Sequence, residues 1–325
     1  MPAPNQLKVN TRLTNVSVGY KNDGYIADEV SPLLPVPKQA GLILEADKSM
    51  LQADDQGDDT IGMGEEPGIL KTEIRDRTYS TRERARGVTV HDDEVDADNA
   101  EEAPYEVKVQ KTEAATERLV LNRELRVAMG ARAAGIPQSS PTTKWDQAGD
   151  VLGDVTPAKL AIKNAIGVPP NYAVVPWEVV ELLKQNPSLA KFFSGGATTS
   201  TLAVLTSGVL SAIFGVPNIL VPRAGQLTGN MTAGFKSGST TSVWGDNVTL
   251  FYRPPVPARQ MVAAFYTYVW KNAFRGAATN AKGLVVTENY EARQRTLYID
   301  ARRYSDEQTL ISEAAYTLTN VLASI

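Results

Sequence analysis

The chain contains no cysteine and a single histidine, His91. The first absence removes disulfides, thiolate nucleophiles and sulfur-ligated metals, and predicts a protein made in a reducing cytoplasm and held together by packing and assembly. The second leaves a His-dependent triad, an HExxH zinc site or a multi-histidine centre at most one participant, placed in an acidic turn at a strand end. No apolar run approaches the ~18 residues that span a bilayer, and MPAPNQLKVNTR lacks the apolar core of a secretory signal. The expectation is a soluble protein with no membrane partner and no export by the usual route. Net charge is -4 with no basic tail, which argues against whole-chain attraction to nucleic acid.

Motifs that carry chemistry are also missing. With Asp96 as position one of a calcium loop, Asp98 fits position three, but Ala100 stands at position five and Glu101 where glycine is required. GMGEEPG at 62–68 lacks the GK[ST] ending of a phosphate loop and is ringed by carboxylates. SGGATTS at 194–200 has no lysine signature beside it. The reading is therefore no catalytic residues, no cofactor-binding residues, no cofactor and no metal. An enzyme would have to work with carboxylates alone, as a glycosidase does with paired Asp and Glu, and no spacing argues for such a pair.

What the chain does have is length and uneven charge. At 325 residues, 42% of them hydrophobic, it exceeds the usual single-domain size and has enough apolar content for real cores. Residues 13–41, LTNVSVGYKNDGYIADEVSPLLPVPKQAG, are polar and proline-stopped, and predict an extended arm that becomes ordered only by lying on another surface, such as another copy of the chain. Next comes an acidic stretch from Glu45 to Glu66. A basic one with Lys71, Arg75, Arg77, Arg82, Arg84 and Arg86 follows, then a second acidic stretch beginning with Asp92, Asp93 and Glu94. Between them LKTEIRDRTYS and ARGVTVH alternate with period two and read as two strands of a long hairpin, with glycines 57, 62, 64 and 68 at its tip. Such a hairpin is either a solvated excursion or an arm that docks its charges on a neighbouring copy.

From Pro104 a helix of about thirty residues, roughly 45 Å, is predicted, with Glu101, Glu102 and Glu106 at its start and Gly135 and Pro137 as its stop. Ala114, Leu121, Leu125, Ala128 and Arg132, widened by Leu119 and Met129, mark one mainly apolar face, and Glu113, Glu117, Arg123 and Arg126 the polar one. Residues 145–257 read as a compact α/β lobe. Its helices are expected from Thr156 as cap and Pro157 as first residue to Ile166, over 177–185, and over Leu202 to Phe214, with strands at NYAVVP and NILVP. Residues 223–242, rich in glycine, serine and threonine, predict an exposed mobile loop that either meets its symmetry mates or is a plain surface turn. Strands return in SVWGDNVTLFYR, MVAAFYTYVW and NYEARQRTLYIDARRY.

The opening LTNVSV, the middle KNDGYIADEV and the close PLLPVPKQAG of residues 13–41 resemble the N-terminal arm of major capsid proteins of tailed double-stranded DNA phages, which share the Hong Kong 97 type fold. The resemblance covers under a tenth of the chain. It implies an α+β, Hong Kong 97-like capsid fold with N-terminal arm (1–41), extended hairpin loop (42–103), peripheral domain with a long spine helix (104–150 and 256–325) and an inserted axial α/β domain (151–255). It also implies self-assembly through hexamers and pentamers into an icosahedral head shell located in the virion after synthesis in the host bacterial cytoplasm. Implied partners are further copies of the chain, a portal, scaffolding and decoration proteins, and packaged double-stranded DNA bound without sequence specificity. Docking of the charged hairpin would make Arg75, Arg77, Arg82, Arg84, Arg86, Asp92, Asp93 and Glu94 assembly-interface residues. The arm begins so near Met1 that no fused scaffolding segment is expected. An encapsulin-like nanocompartment shell protein is the alternative, and a carboxylate-dependent hydrolase the remote one.

Overall fold

A computed structural model describes residues 8–45, 51, 63–64, 75–94, 106–189, 207–228, 239–258, 261–274 and 282–323. In chain order the elements are β1 (Lys8–Val9), α1 (Thr11–Gly19), the one-turn α2 (Ala27–Val30), β2 (Leu33–Val36), β3 (Ala40–Glu45), β4 (Arg75–Ser80), β5 (Arg82–His91) and α3 (Glu106–Ala131). Then come β6 (Gln138–Ser139), α4 (Val151–Ile166), β7 (Tyr172–Val174), α5 (Trp177–Leu183), α6 (Ser207–Phe214), β8 (Asn218–Leu220), β9 (Gly225–Thr228) and β10 (Ser239–Ser242). The chain closes with β11 (Val248–Phe251), β12 (Phe265–Trp270), β13 (Val285–Glu291), β14 (Thr296–Thr309) and β15 (Ala315–Leu318). Two compact units result, one from Met1–Gly41, Thr78–Val127 and Tyr266–Gln308, the other from Leu42–Arg77, Ala128–Phe265 and Thr309–Ile325. Helices and sheets are mixed in both, an α+β architecture.

The first unit is a sheet with strand order β1-β13-β14-β12-β2, and β5 added to β14. Residues 296–302 of β14 pair with β13 while 296–305 pair with β5, both antiparallel, so these two strands lie on opposite edges of β14. Period-two alternation sends Leu297, Ile299 and Ala301 to one face, and α3 covers it. Leu13, Val90, Val286 and Ile299 form one cluster with Val107 and Val109 against it, and Ala115, Leu119, Leu284 and Ala301 form the next.

Three expectations change here. The arm is not extended: Asn10 caps α1 by accepting from the Leu13 amide at 3.1 Å, Leu13 is fully buried in the first cluster, and β2 pairs parallel with β12. Its supporting surface is the chain's own sheet and helix. The buried stripe of α3 is also rotated from the predicted one. Leu119 and Ala128 of the predicted stripe are buried, but so are Thr112, Ala115, Thr116, Arg123, Val127 and Ala131 outside it, whereas Ala114 and Met129 are exposed. Small side chains let the sheet approach, and a Thr116 to Ser17 hydrogen bond of 2.8 Å ties α1 down, features that an apolarity count passes over. Finally, β5 is not the return strand of a β4 hairpin. Only Thr81 separates them, and β4 pairs with β3 while β5 joins β14. Thr81, buried, marks the change of partner with two hydrogen bonds to the Gln39 carbonyl, 2.9 Å from N and 2.8 Å from Oγ1. The glycines at 57, 62 and 68, with most of the acidic stretch before Glu66, lie outside the described residues.

In the second unit the sheet order is β6-β15-β11-β7-β8, and α4, which buries Val151, Val155, Ala158, Ile162 and Ile166, packs on β15. This helix starts earlier than Thr156: Asp150 is the cap, accepting from the Gly153 amide at 3.0 Å, and Pro157 sits inside the helix. The segment expected as a plain loop at 223–242 is a β9/β10 hairpin at its two ends, with 229–238 outside the described residues. Residues 202–206 of the expected third helix are outside them too.

The buried face of α3 is testable by truncation. Leu119→Ala empties a buried position and is expected to cost about 2–5 kcal/mol. Met129→Ala removes a side chain 58% exposed and should stay within about 0.5 kcal/mol. Urea unfolding of the dispersed subunit measures both, and the reverse order would place Met129 rather than Leu119 in the core.

Candidate assembly interface

The arm is fixed by two adjacent charges on α3. Glu124, fully buried, accepts from the backbone N–H of Ile26 at 3.2 and 3.1 Å and of Ala27 at 2.7 Å. These are donors that the first turn of α2 leaves unpaired, and a carboxylate at that end also meets the positive end of the peptide dipoles. Arg123, equally buried, takes the other end: its Nη2 donates to the Ser31 carbonyl at 2.7 Å and to the Ala27 carbonyl at 3.3 Å, and its Nη1 to the Asp28 carboxylate. A polar-face reading of Arg123 is thus corrected. It carries charge inward because the backbone of α2 supplies its acceptors. No spacing rule marks this contact in the sequence, since a single helical turn has no period.

Beside it, Arg126 grips Glu307 with two bonds, 3.1 Å from Nε and 2.8 Å from Nη2, and Ser305 donates to the same carboxylate at 2.9 Å. Burial works to raise the Glu307 pKa, but the Arg126 hydrogen bond and charge, the Ser305 hydroxyl and the Arg303 charge outweigh it and bring it down to about 2.

Of the residues predicted to form an interface, the structure separates one group from another. Arg77 turns to its own chain, with Nη1 2.8 Å from the Leu310 carbonyl and Nη2 2.5 Å from that of Thr309. Asp92 accepts from the Tyr290 hydroxyl at 2.7 Å and lies 3.6 Å from Arg295 Nε, Glu94 pairs with Lys111 at 3.2 Å, and Asp93 is exposed. The Arg75 side chain is outside the described residues. Arg82, Arg84 and Arg86 recur at every second position of β5, opposite Ser305, Arg303 and Ala301, and so share the face that α3 covers.

Alternation explains why these three stand apart. Glu83 projects to the other face, where Arg302 donates to it at 2.9 Å and to Asp300 at 2.7 Å, and the Tyr304 hydroxyl reaches it at 3.1 Å. Gly87 makes room for this ladder, since a Cβ there would lie 2.2 Å from Asp300 Oδ1. The carboxylate of β5 is therefore spent on one face, and its arginines lie on the other. Among the described residues, Arg82, Arg84 and Arg86 have no hydrogen-bond or ion-pair partner in the chain, and no strand pairs with the outer edge of β5. His91, at the far end of β5, has Nδ1 2.9 Å from Thr296 Oγ1. Among the described residues no group of three acidic, histidine or cysteine side chains is placed to hold a metal, and no helix is long and apolar enough to cross a membrane.

This architecture is the Hong Kong 97 type capsid fold. A solved phage-related protein from Bordetella bronchiseptica RB50 matches 98% of this chain and 99% of its own at a TM-score of 0.71 and 20% identity. The capsid of cyanophage P-SCSP1u matches with a TM-score of 0.52 and 14% identity, covering 90% of this chain and 87% of the other. An encapsulin complex from Synechococcus elongatus PCC 7942 reaches 0.53 at 11% identity, over 91% and 87%. No family model matches the sequence. Two curated relatives are named as major capsid proteins. That of Burkholderia phage BcepMu is 29% identical over 262 residues, 76% of either chain, and that of Pseudomonas phage JBD67 is 25% identical over 252 residues, 75% of this chain and 77% of the other.

Two outcomes test the clamp on the arm. Glu124→Ala leaves the Ile26 and Ala27 amides buried without their acceptor, and a loss of about 1–3 kcal/mol is expected, with faster trypsin cleavage after Lys21 as the arm detaches. An unchanged melting point with unchanged cleavage would mean that apolar contacts alone hold the arm. The second outcome concerns acid. Glu307 has a folded pKa depressed to about 2 against an ordinary 4.5, so its contribution is complete above about 4.5 and is lost as pH falls toward 2. Roughly 3 kcal/mol rides on it. Glu307→Gln should flatten the stability profile between those values in pH-dependent urea titrations, and a profile parallel to the parent's would remove Glu307 from the acid transition.

Proposed function

We propose that the chain is the major capsid protein of a tailed double-stranded DNA phage, whose copies assemble through hexamers and pentamers into the icosahedral head shell. The observation that carries the inter-copy surface is the row Arg82, Arg84 and Arg86 on a sheet edge that, among the described residues, has neither a pairing strand nor a counter-charge. Single exposed pairs contribute only ~0–1 kcal/mol, but a row repeated at every contact sums over the shell. Support for the function comes from the relatives named as major capsid proteins over three quarters of the chain. The carboxylates of a second copy supply the opposite charge, and a role for Asp93, exposed near the end of the same strand, is part of this reading.

The role is structural and not enzymatic. Portal, scaffolding and decoration proteins meet the shell from outside this chain, packaged DNA is enclosed without sequence readout, and the protein is made in the host cytoplasm before it enters the virion. Encapsulin shells share the fold, so closed shells test assembly, and protected phage DNA inside shells from infected cells tests which kind of shell it is.

The triple reversal Arg82→Glu, Arg84→Glu and Arg86→Glu should leave the subunit folded and lower particle yield at least several-fold. The deficit should be larger at low salt, where repulsion is least screened. Electron microscopy and sedimentation of the purified protein read the yield. Assembly indifferent to both reversal and ionic strength would remove the arginine row from the interface.

A further inference from the structure

Arg303 lies in the middle of β14, 2% exposed, and among the described residues no acceptor reaches its Nε or Nη2. Its partner across β5 is Arg84, whose Nε is likewise buried and without an acceptor. Side chains directly opposite in an antiparallel pair have Cβ atoms about 4.5–5.5 Å apart, and like charges there repel. The surroundings do not offset this. Asp28 and Glu307 face Arg303, but so do Arg123 and Arg126, and these two already hold the two carboxylates by hydrogen bonds. Burial, with the Arg123 charge adding to it, lowers the Arg303 pKa to about 9, so the guanidinium is charged at neutral pH. A buried cation with orphaned donors is strongly destabilising unless something accepts from it.

We propose that Arg303 and Arg84 together bind one small oxyanion, a carboxylate or inorganic phosphate, whose oxygens accept from Arg303 Nε and Nη2 and from Arg84 Nε. A planar guanidinium fork matches that geometry. Arg84, half-buried between the exposed Arg82 and Arg86, brings the site to the sheet edge. The oxyanion has two sources, free anion from solvent or a side-chain carboxylate of a second copy. Only the second source rests on the shell reading.

Thermal unfolding of the dispersed subunit across an inorganic phosphate series separates them. With free anion as ligand, the parent melting point rises by about 2–4 °C and saturates, while Arg84→Gln and Arg303→Met stay flat. Arg84→Gln, at the partly exposed position, keeps the test valid if Arg303→Met fails to fold. No phosphate response in the parent, together with fewer particles from Arg84→Gln, assigns the acceptor to a carboxylate of a second copy. An Arg84-dependent phosphate response in a protein that forms no particles keeps the site and removes the shell reading. Equal phosphate responses in parent and variants, or no response with no effect of Arg84→Gln on particles, would overturn the site.

Discussion

Burying Arg123 and Glu124 side by side on α3 is the constraint on which the first unit depends. Charges buried at these positions must be met by hydrogen bonds or by each other, and here the backbone of a four-residue helix meets them. Glu124 holds the amide end of α2 and Arg123 the carbonyl end. The clamp fixes Ile26 to Ser31 at one place along α3, and the next residues then enter β2 in register with β12. A purely apolar contact would hold an arm with equal energy but in several registers. A charge matched to each end of a helical turn admits one.

The second organising effect is the two-residue period of β5. Because successive side chains alternate faces, a strand reading Arg-Glu-Arg-Ala-Arg separates its own charges. Glu83 enters a ladder with Arg302, Asp300 and Tyr304, while the arginines share the opposite face with Ser305, Arg303 and Ala301. Local charge balance in the sequence is therefore not local neutrality in space. A chain of net charge -4 thus carries a cationic edge.

Similarity to a solved protein at 20% identity with nearly full coverage fits this picture. The fold asks for alternating strands, a long helix with a small-residue face and an arm that crosses it, and many sequences satisfy that pattern. Charge placement is a different matter. Arg84 opposite Arg303, or Glu83 opposite Tyr304, depends on the strand register.

The sequence by itself determined the class of molecule and much of its element order. Absence of cysteine, one histidine, a helix ending near Gly135, strands around Ile299 and the wording of residues 13–41 were all legible, since composition and periodicity are local properties. Only tertiary structure decided which face of α3 is buried, that residues 13–41 fold on their own chain, and that β5 leaves β4 to join β14. Each of these turns on a partner distant in sequence: Glu124 needs Ile26, Leu13 needs Ile299, and Arg84 meets Arg303. A period fixes which residues share a face, but the solvation of a buried charge or donor is settled by whatever the rest of the chain brings to it.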